Sequence, residues 1–193
     1  MPNTSATGGY LNPAASPTPL EDDALADFLQ VWIVGITGMV GSLVRPLWQP
    51  EATNIPVDGT DWLAFGVTEQ VADTFVAIVH NGYGDGIDQL RRHEVLHCRC
   101  SFYGPNAMSN ASIFRDGMQV QENHAVLSAV GMGLVESGSL TQIPELLKMK
   151  WYKRIDFTFK IRRQVVREYS VLNLLSGNGT LNNEIYIETI KTP

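Results

Sequence analysis

Cysteine is nearly missing from this chain of 193 residues, which has only Cys98 and Cys100. Two thiols with one residue between them supply neither a disulfide framework nor a four-ligand zinc site, so they read as reduced thiols packed as small apolar side chains. Bases are scarce in the first half, where Arg45 stands alone against eleven acids over residues 1–90. A formal charge of -6 argues against a dedicated duplex-DNA binder, which uses positive charge to displace counterions from phosphates. No apolar run reaches the roughly 18 residues that span a bilayer, and the first nineteen residues lack a basic n-region and an apolar h-region. The expectation is a chain made in the cytoplasm, neither secreted nor membrane-embedded. The Asn-x-Ser/Thr triplets at Asn3, Asn110 and Asn178 then have no glycosylation role. Nucleophile elbow, P-loop, kinase motifs and solenoid-length repeats are also missing.

What is present is enough apolar material, 44%, with 18% charged residues, to build one core in a chain of single-domain length. Pro, Ser, Thr, Gly and Asn crowd residues 1–20, the composition of a flexible N-terminal arm. A single domain is expected over 21–175, followed by a C-terminal hairpin or arm over 176–193. Glu21, Asp22 and Asp23 precede Leu25, Phe28, Leu29, Trp32 and Ile36 at helical spacing, with Gly35 and Gly38 as the stop. Strands are expected over Asp61–Glu69, Thr74–His80 and Asp88–Tyr103, with a loop at Asn81-Gly82 and Gly84-Asp85-Gly86. Pro105 suits a first helical residue before Met108, Ala111, Phe114 and Met118, and a second short helix covers Glu122–Val130. Residues 134–147 read as a short strand and a loop. Trp151, Ile155, Phe157, Phe159 and Ile161 then alternate with Arg154, Asp156, Thr158, Lys160 and Arg162, which predicts a strand with one core face and one wet, positive face. A Ser176–Gly179 turn and Ile185, Ile187 and Thr189 suggest the closing hairpin. The sum is an α+β fold with a mainly antiparallel sheet and helices packed on one face.

Two strings resemble catalytic or cofactor motifs. His93-Glu94-Val95-Leu96-His97 matches H-E-x-x-H, whose chemistry requires both histidines on one helical face; on the strand expected here they stand about 13 Å apart. Gly35, Gly38 and Gly41 imitate a dinucleotide-binding glycine turn, but a helix precedes them and Arg45-Pro46 cuts off any helix after them. A metal-dependent hydrolase through His93, Glu94 and His97 is the alternative of a different class. The leading expectation is no catalytic residue, no metal and no cofactor.

Charge is distributed unevenly. Residues 91–193 hold nine acids and thirteen bases, and eight of the fourteen bases fall between Lys148 and Arg167. Opposite-sign regions on different faces favour head-to-tail contact between copies, which closes into a ring when the rotation allows.

The strings Val44-Arg45-Pro46-Leu47-Trp48-Gln49-Pro50, Gly59-Thr60-Asp61-Trp62-Leu63-Ala64-Phe65-Gly66-Val67 and Ser101-Phe102-Tyr103-Gly104-Pro105-Asn106-Ala107 carry a resemblance. So do Phe114-Arg115-Asp116-Gly117-Met118-Gln119-Val120, Gly131-Met132-Gly133 and Pro144-Glu145-Leu146. In this order, over residues 22–175, they resemble the phage neck or tail terminator family. The resemblance implies a non-enzymatic virion protein at the head-proximal end of a phage tail. Its copies would form a ring, typically a hexamer, capping the tail tube. Tail tube, sheath and head-connector or adaptor proteins would be its partners, with genomic DNA met only in the channel. A collar or adaptor position elsewhere in the neck is the neighbouring alternative. Arg154, Lys160 and Arg162 are expected to face a neighbouring subunit or the channel.

Overall fold

The computed structural model describes residues 3–14, 19–49, 54–147, 149–174, 179–181 and 184–186. In chain order its elements are α1 (Asp22–Thr37), a 3-10 turn (Gly41–Leu43), β1 (Val44–Pro46), β2 (Trp62–Ala72), β3 (Ala77–Asn81), β4 (Ile87–Tyr103), α2 (Ala107–Gly117), α3 (Gln121–Ala129), β5 (Met132–Gln142), β6 (Glu145–Leu147), β7 (Lys150–Tyr152), β8 (Arg154–Tyr169), β9 (Gly179–Leu181) and β10 (Glu184–Tyr186). The main sheet runs β1-β2-β4-β8-β5, with β3 also paired to β4; β1 joins β2 in parallel, β2 and β3 pair antiparallel to β4, and β5 pairs antiparallel to β8. The fold is α+β with a mostly antiparallel sheet. The chain divides into a larger unit, residues 18–75 and 92–165, and a smaller one, residues 1–17, 76–91 and 166–193.

The larger unit is organised by an apolar core. α1 begins with Asp22 and Asp23 at the positive end of its dipole and ends at Gly38, whose φ of 68° lets its N–H donate to the Val34 carbonyl at 2.8 Å. The spacing of Leu25, Leu29, Trp32 and Ile33 puts them on one buried stripe. Against it lie Leu63 and Phe65 of β2, Leu96, Cys98, Cys100 and Phe102 of β4, and Ile155, Phe157, Phe159 and Ile161 of β8. Phe114 of α2 is the hub: its ring stands 5.6 Å from both Trp32 and Phe159 and 5.9 Å from Phe157, each in an edge-to-face arrangement. The Trp32 indole N–H donates to the Asn123 carbonyl at 2.9 Å, so the buried ring leaves no donor unpaired. All three helices thus contribute to the core on one face of the sheet.

The turn before α2 explains its start. The Asn106 backbone N–H and side-chain amide both donate to the Asp61 carboxylate at 2.8 Å. Gly104, at φ 109°, permits that approach, because a Cβ there would lie 2.7 Å from the Thr60 carbonyl. Pro105 therefore belongs to the turn, and the helix begins two residues later than its chemistry suggested.

The smaller unit has little apolar interior and is held by polar contacts. β3 and β4 pair from Ala77↔Arg91 to Asn81↔Ile87 around the predicted glycine loop. Asn173 fastens that loop: its amide donates to the Gly82 and Gly84 carbonyls at 2.9 and 3.0 Å, and its backbone N–H to Asp85 at 2.9 Å. Gly86, at φ 96°, lies so near this segment that a Cβ would meet the Asn173 nitrogen at 2.7 Å. Residues of the expected N-terminal arm hydrogen-bond to the end of β8, Ser5 N–H to the Ser170 carbonyl at 3.2 Å and Ala14 N–H to that of Glu168 at 2.6 Å. β9 and β10 form an antiparallel hairpin, Glu184↔Leu181 to Tyr186↔Gly179. Of the turn and strand residues named for the C-terminus, 176–178, Ile187 and Thr189 lie outside the described residues, as do 1–2 and 15–18 of the arm.

Several local expectations need correction. β5 is an eleven-residue strand rather than a short one. Trp151 does not continue the core alternation of β8; it stands on the separate strand β7, 72% exposed. Met108 is exposed, and Ala107 takes its place on the buried face of α2.

Candidate assembly surfaces

The H-E-x-x-H residues lie within β4, not on a helix. Strand alternation sends Glu94 to the buried side with Leu96 and Cys98, and His93 and His97 to the other. Glu94, 7% exposed, accepts from Gln70 at 2.8 Å and from Arg163 Nε at 3.0 Å, while His97 Nδ1 sits 3.1 Å from Glu69. These are ion-pair and hydrogen-bond roles, and the geometry does not bring the three residues around one point. Gly35 lies within the last turn of α1 rather than ending it, Gly38 caps the helix, and Gly41 opens the 3-10 turn. Cys98 and Cys100 are free and buried; burial pushes the Cys98 thiol up to about 12 and raises that of Cys100 well above the ordinary range.

Arg154, Lys160 and Arg162 share the face of β8 away from the helices, as alternation requires. Each has an acidic partner in the same chain. Lys160 pairs with Glu136 of β5 at 2.6 Å, which holds the Glu136 carboxyl below its usual range, and Arg162 stands 3.9 Å from Asp73. Arg154 binds Asp156 bidentately at 2.7 and 2.8 Å and Glu145 at 3.2 Å, with its side chain only 17% exposed. The face is therefore charge-compensated rather than a free positive stripe. Period-two alternation tells which side of the pleat a residue takes, and neighbouring strands decide what stands beside it.

At the Arg154 end, Trp62 and Tyr103 stack at 4.1 Å, and the guanidinium lies 5.9 Å from the centre of the Tyr103 ring. The Tyr103 hydroxyl donates to Glu145 at 3.0 Å, and burial, first among several causes, pushes its pKa up to about 12. This cluster anchors the β6–β7 hairpin, with Lys150 and Tyr152 both bound to Asp58. Their alternates, Leu146 and Trp151, face each other across the hairpin, both exposed, with exposed Met149 in the turn. Lys153 follows, also exposed.

A second feature is a cleft of about 480 Å³ between the start of α1 and the β1–β2 edge. Leu25, Leu29, Leu47, Phe65 and Val67 line it, with Glu21, Asp22 and Asp23 on the rim and Trp48, 89% exposed, beside them. Its charged base is Arg163, 3% exposed, which holds Glu94, donates to the Leu20 carbonyl and stands 3.6 Å from Glu21. Neither Arg163 nor Trp48 was singled out from the sequence as a surface or site residue. The available signal for Arg163 was a charge at a core position of the β8 alternation.

Among the described residues, no group of three or more His, Cys, Asp or Glu is placed to hold a metal ion, and no helix is long and apolar enough to cross a membrane. Comparison with curated proteins gives no match. Residues 23–185 match the family described as phage neck terminator protein, so the chain belongs to that family, a structural protein of the bacteriophage virion neck.

Proposed function

We propose that copies of this protein assemble into a ring, hexameric by expectation, that ends the tail tube at its final length and joins the tail to the head connector. The family match over residues 23–185 carries this reading. The protein acts through surfaces and not through catalysis: assembly buries subunit interfaces whose charged groups fix register and partner choice. Arg154, Lys160 and Arg162 face a neighbouring subunit or the DNA channel in the assembled state, and the terminal segments reach adjacent subunits or rings. Synthesis in the host cytoplasm precedes incorporation into the virion.

Imaging of intact particles tests the reading. A ring of this protein between tail tube and connector is the expected result, and particles lacking the protein should carry tails of unregulated length or heads without tails. Finding the chain elsewhere in the particle, or substrate turnover by the purified chain, refutes it.

A further inference from the structure

Resting on the ring reading, we infer that the β6–β7 hairpin of one copy docks into the α1–β1 cleft of the next. Hairpin and cleft are complementary in kind. The hairpin presents Trp151, Leu146 and Met149, all exposed, with Lys153 at its base. The cleft offers an apolar lining of Leu25, Leu47, Phe65 and Val67 under a rim of Asp22 and Asp23. A volume of about 480 Å³ admits an indole with a neighbouring aliphatic side chain. Aromatic anchors seated in pockets and surrounded by polar rims are the recurrent energetic centres of protein interfaces.

The two features belong to different copies for a geometric reason. Arg163 lines the cleft, while Arg154 holds Glu145 of the hairpin. They lie nine positions apart on one strand, about 30 Å at the usual rise. The hairpin of a copy therefore does not fill its own cleft. Contact between unlike patches on identical chains is heterologous, and it propagates head to tail until it closes. The hairpin is also preorganised, since Asp58 and the Tyr103–Glu145–Arg154 cluster hold the side opposite Trp151.

The test uses full-length chains and sedimentation velocity over the concentration range in which the wild type assembles. Trp151→Ala weakens self-association by about 30-fold, the size of an anchor truncation. Asp22→Lys with Asp23→Lys also disrupts assembly, whereas Asp27→Lys, on the same helix but outside the cleft lining, does not. Mixing the hairpin variant with the cleft variant gives dimers but no rings, because one intact hairpin meets one intact cleft and each pair then ends. General misfolding does not produce that outcome. In assembled particles, Ala24→Cys with Met149→Cys in one chain, both positions exposed and Trp151, Asp22 and Asp23 retained, should give cross-linked multimers that neither single variant gives, the native thiols being buried. Undiminished rings from both variants, or particles that contain the doubly substituted chain only as uncross-linked monomer, overturn the docking while leaving the ring intact. Wild-type particles imaged without a ring overturn both.

Discussion

The larger unit is ordered from within by aromatic and aliphatic packing around Phe114, whereas the smaller unit is ordered by hydrogen bonds at its turns, chiefly through Asn173. Apolar burial contributes roughly 1.5–3 kcal/mol for each large side chain, while a typical hydrogen bond contributes about 1 kcal/mol net. The same sheet strands, β4 and β8, thus pass through regions with different kinds of support. The larger unit should resist local opening, and the smaller should respond to solution conditions.

The sharpest way to test this contrast is to remove its hub. Phe114→Ala should cost about 3–5 kcal/mol, read as a fall in the denaturant midpoint, because the cavity would sit among rings already packed. Loss below about 1 kcal/mol would show that the core does not depend on this ring. Gly86→Ala in the smaller unit should cost about 1–3 kcal/mol through its positive φ and the nearby Asn173 backbone. Faster hydrogen exchange confined to residues 80–86 and 171–174 is the expected signature. Uniform loss across both units would remove the distinction.

The pH response should belong to the smaller unit. His80 offers Nδ1 to Asp88 at 2.6 Å and Nε2 to Asn173 Oδ1 at 2.8 Å. The Asn173 amide nitrogen already donates to two carbonyls, so its oxygen is the acceptor toward His80, and both ring nitrogens donate when the imidazole is protonated. The Asp88 hydrogen bond, then that of Asn173, raises the His80 pKa above 6.5. A raised value means the contribution is complete below the unfolded pKa and is lost as pH rises through the folded one. Exchange at 82–86 should therefore quicken with pH beyond the intrinsic base catalysis, and His80→Gln should abolish that excess. The smallest effect is expected from Lys160→Ala on the isolated chain. Its exposed pair with Glu136 should leave the melting temperature unchanged within error, even if the residue matters in the assembled ring.

Much of the α+β pattern was legible because burial imposes a period. Leu25, Leu29 and Trp32 at helical spacing marked α1, and Phe157, Phe159 and Ile161 in alternation marked β8. The same logic placed Arg154, Lys160 and Arg162 on one face. It failed at Trp151, whose apolar character suggested core, because a period does not reveal that the chain breaks at Lys153 and turns a short hairpin outward. It was also silent on Arg163, since its partners Glu94 and Glu21 are remote in the chain.

The order of apolar and polar residues by itself determined α1 and β8 and which side of each met the core, because those are consequences of local geometry and the cost of wetting apolar surface. Only the tertiary structure decided that the basic stretch of β8 is neutralised by Glu145, Asp156, Glu136 and Asp73, that H-E-x-x-H is divided between two sides of a strand, and that a cleft and an aromatic hairpin stand far apart. Pairings between distant residues depend on strand order and register, which local periodicity does not contain.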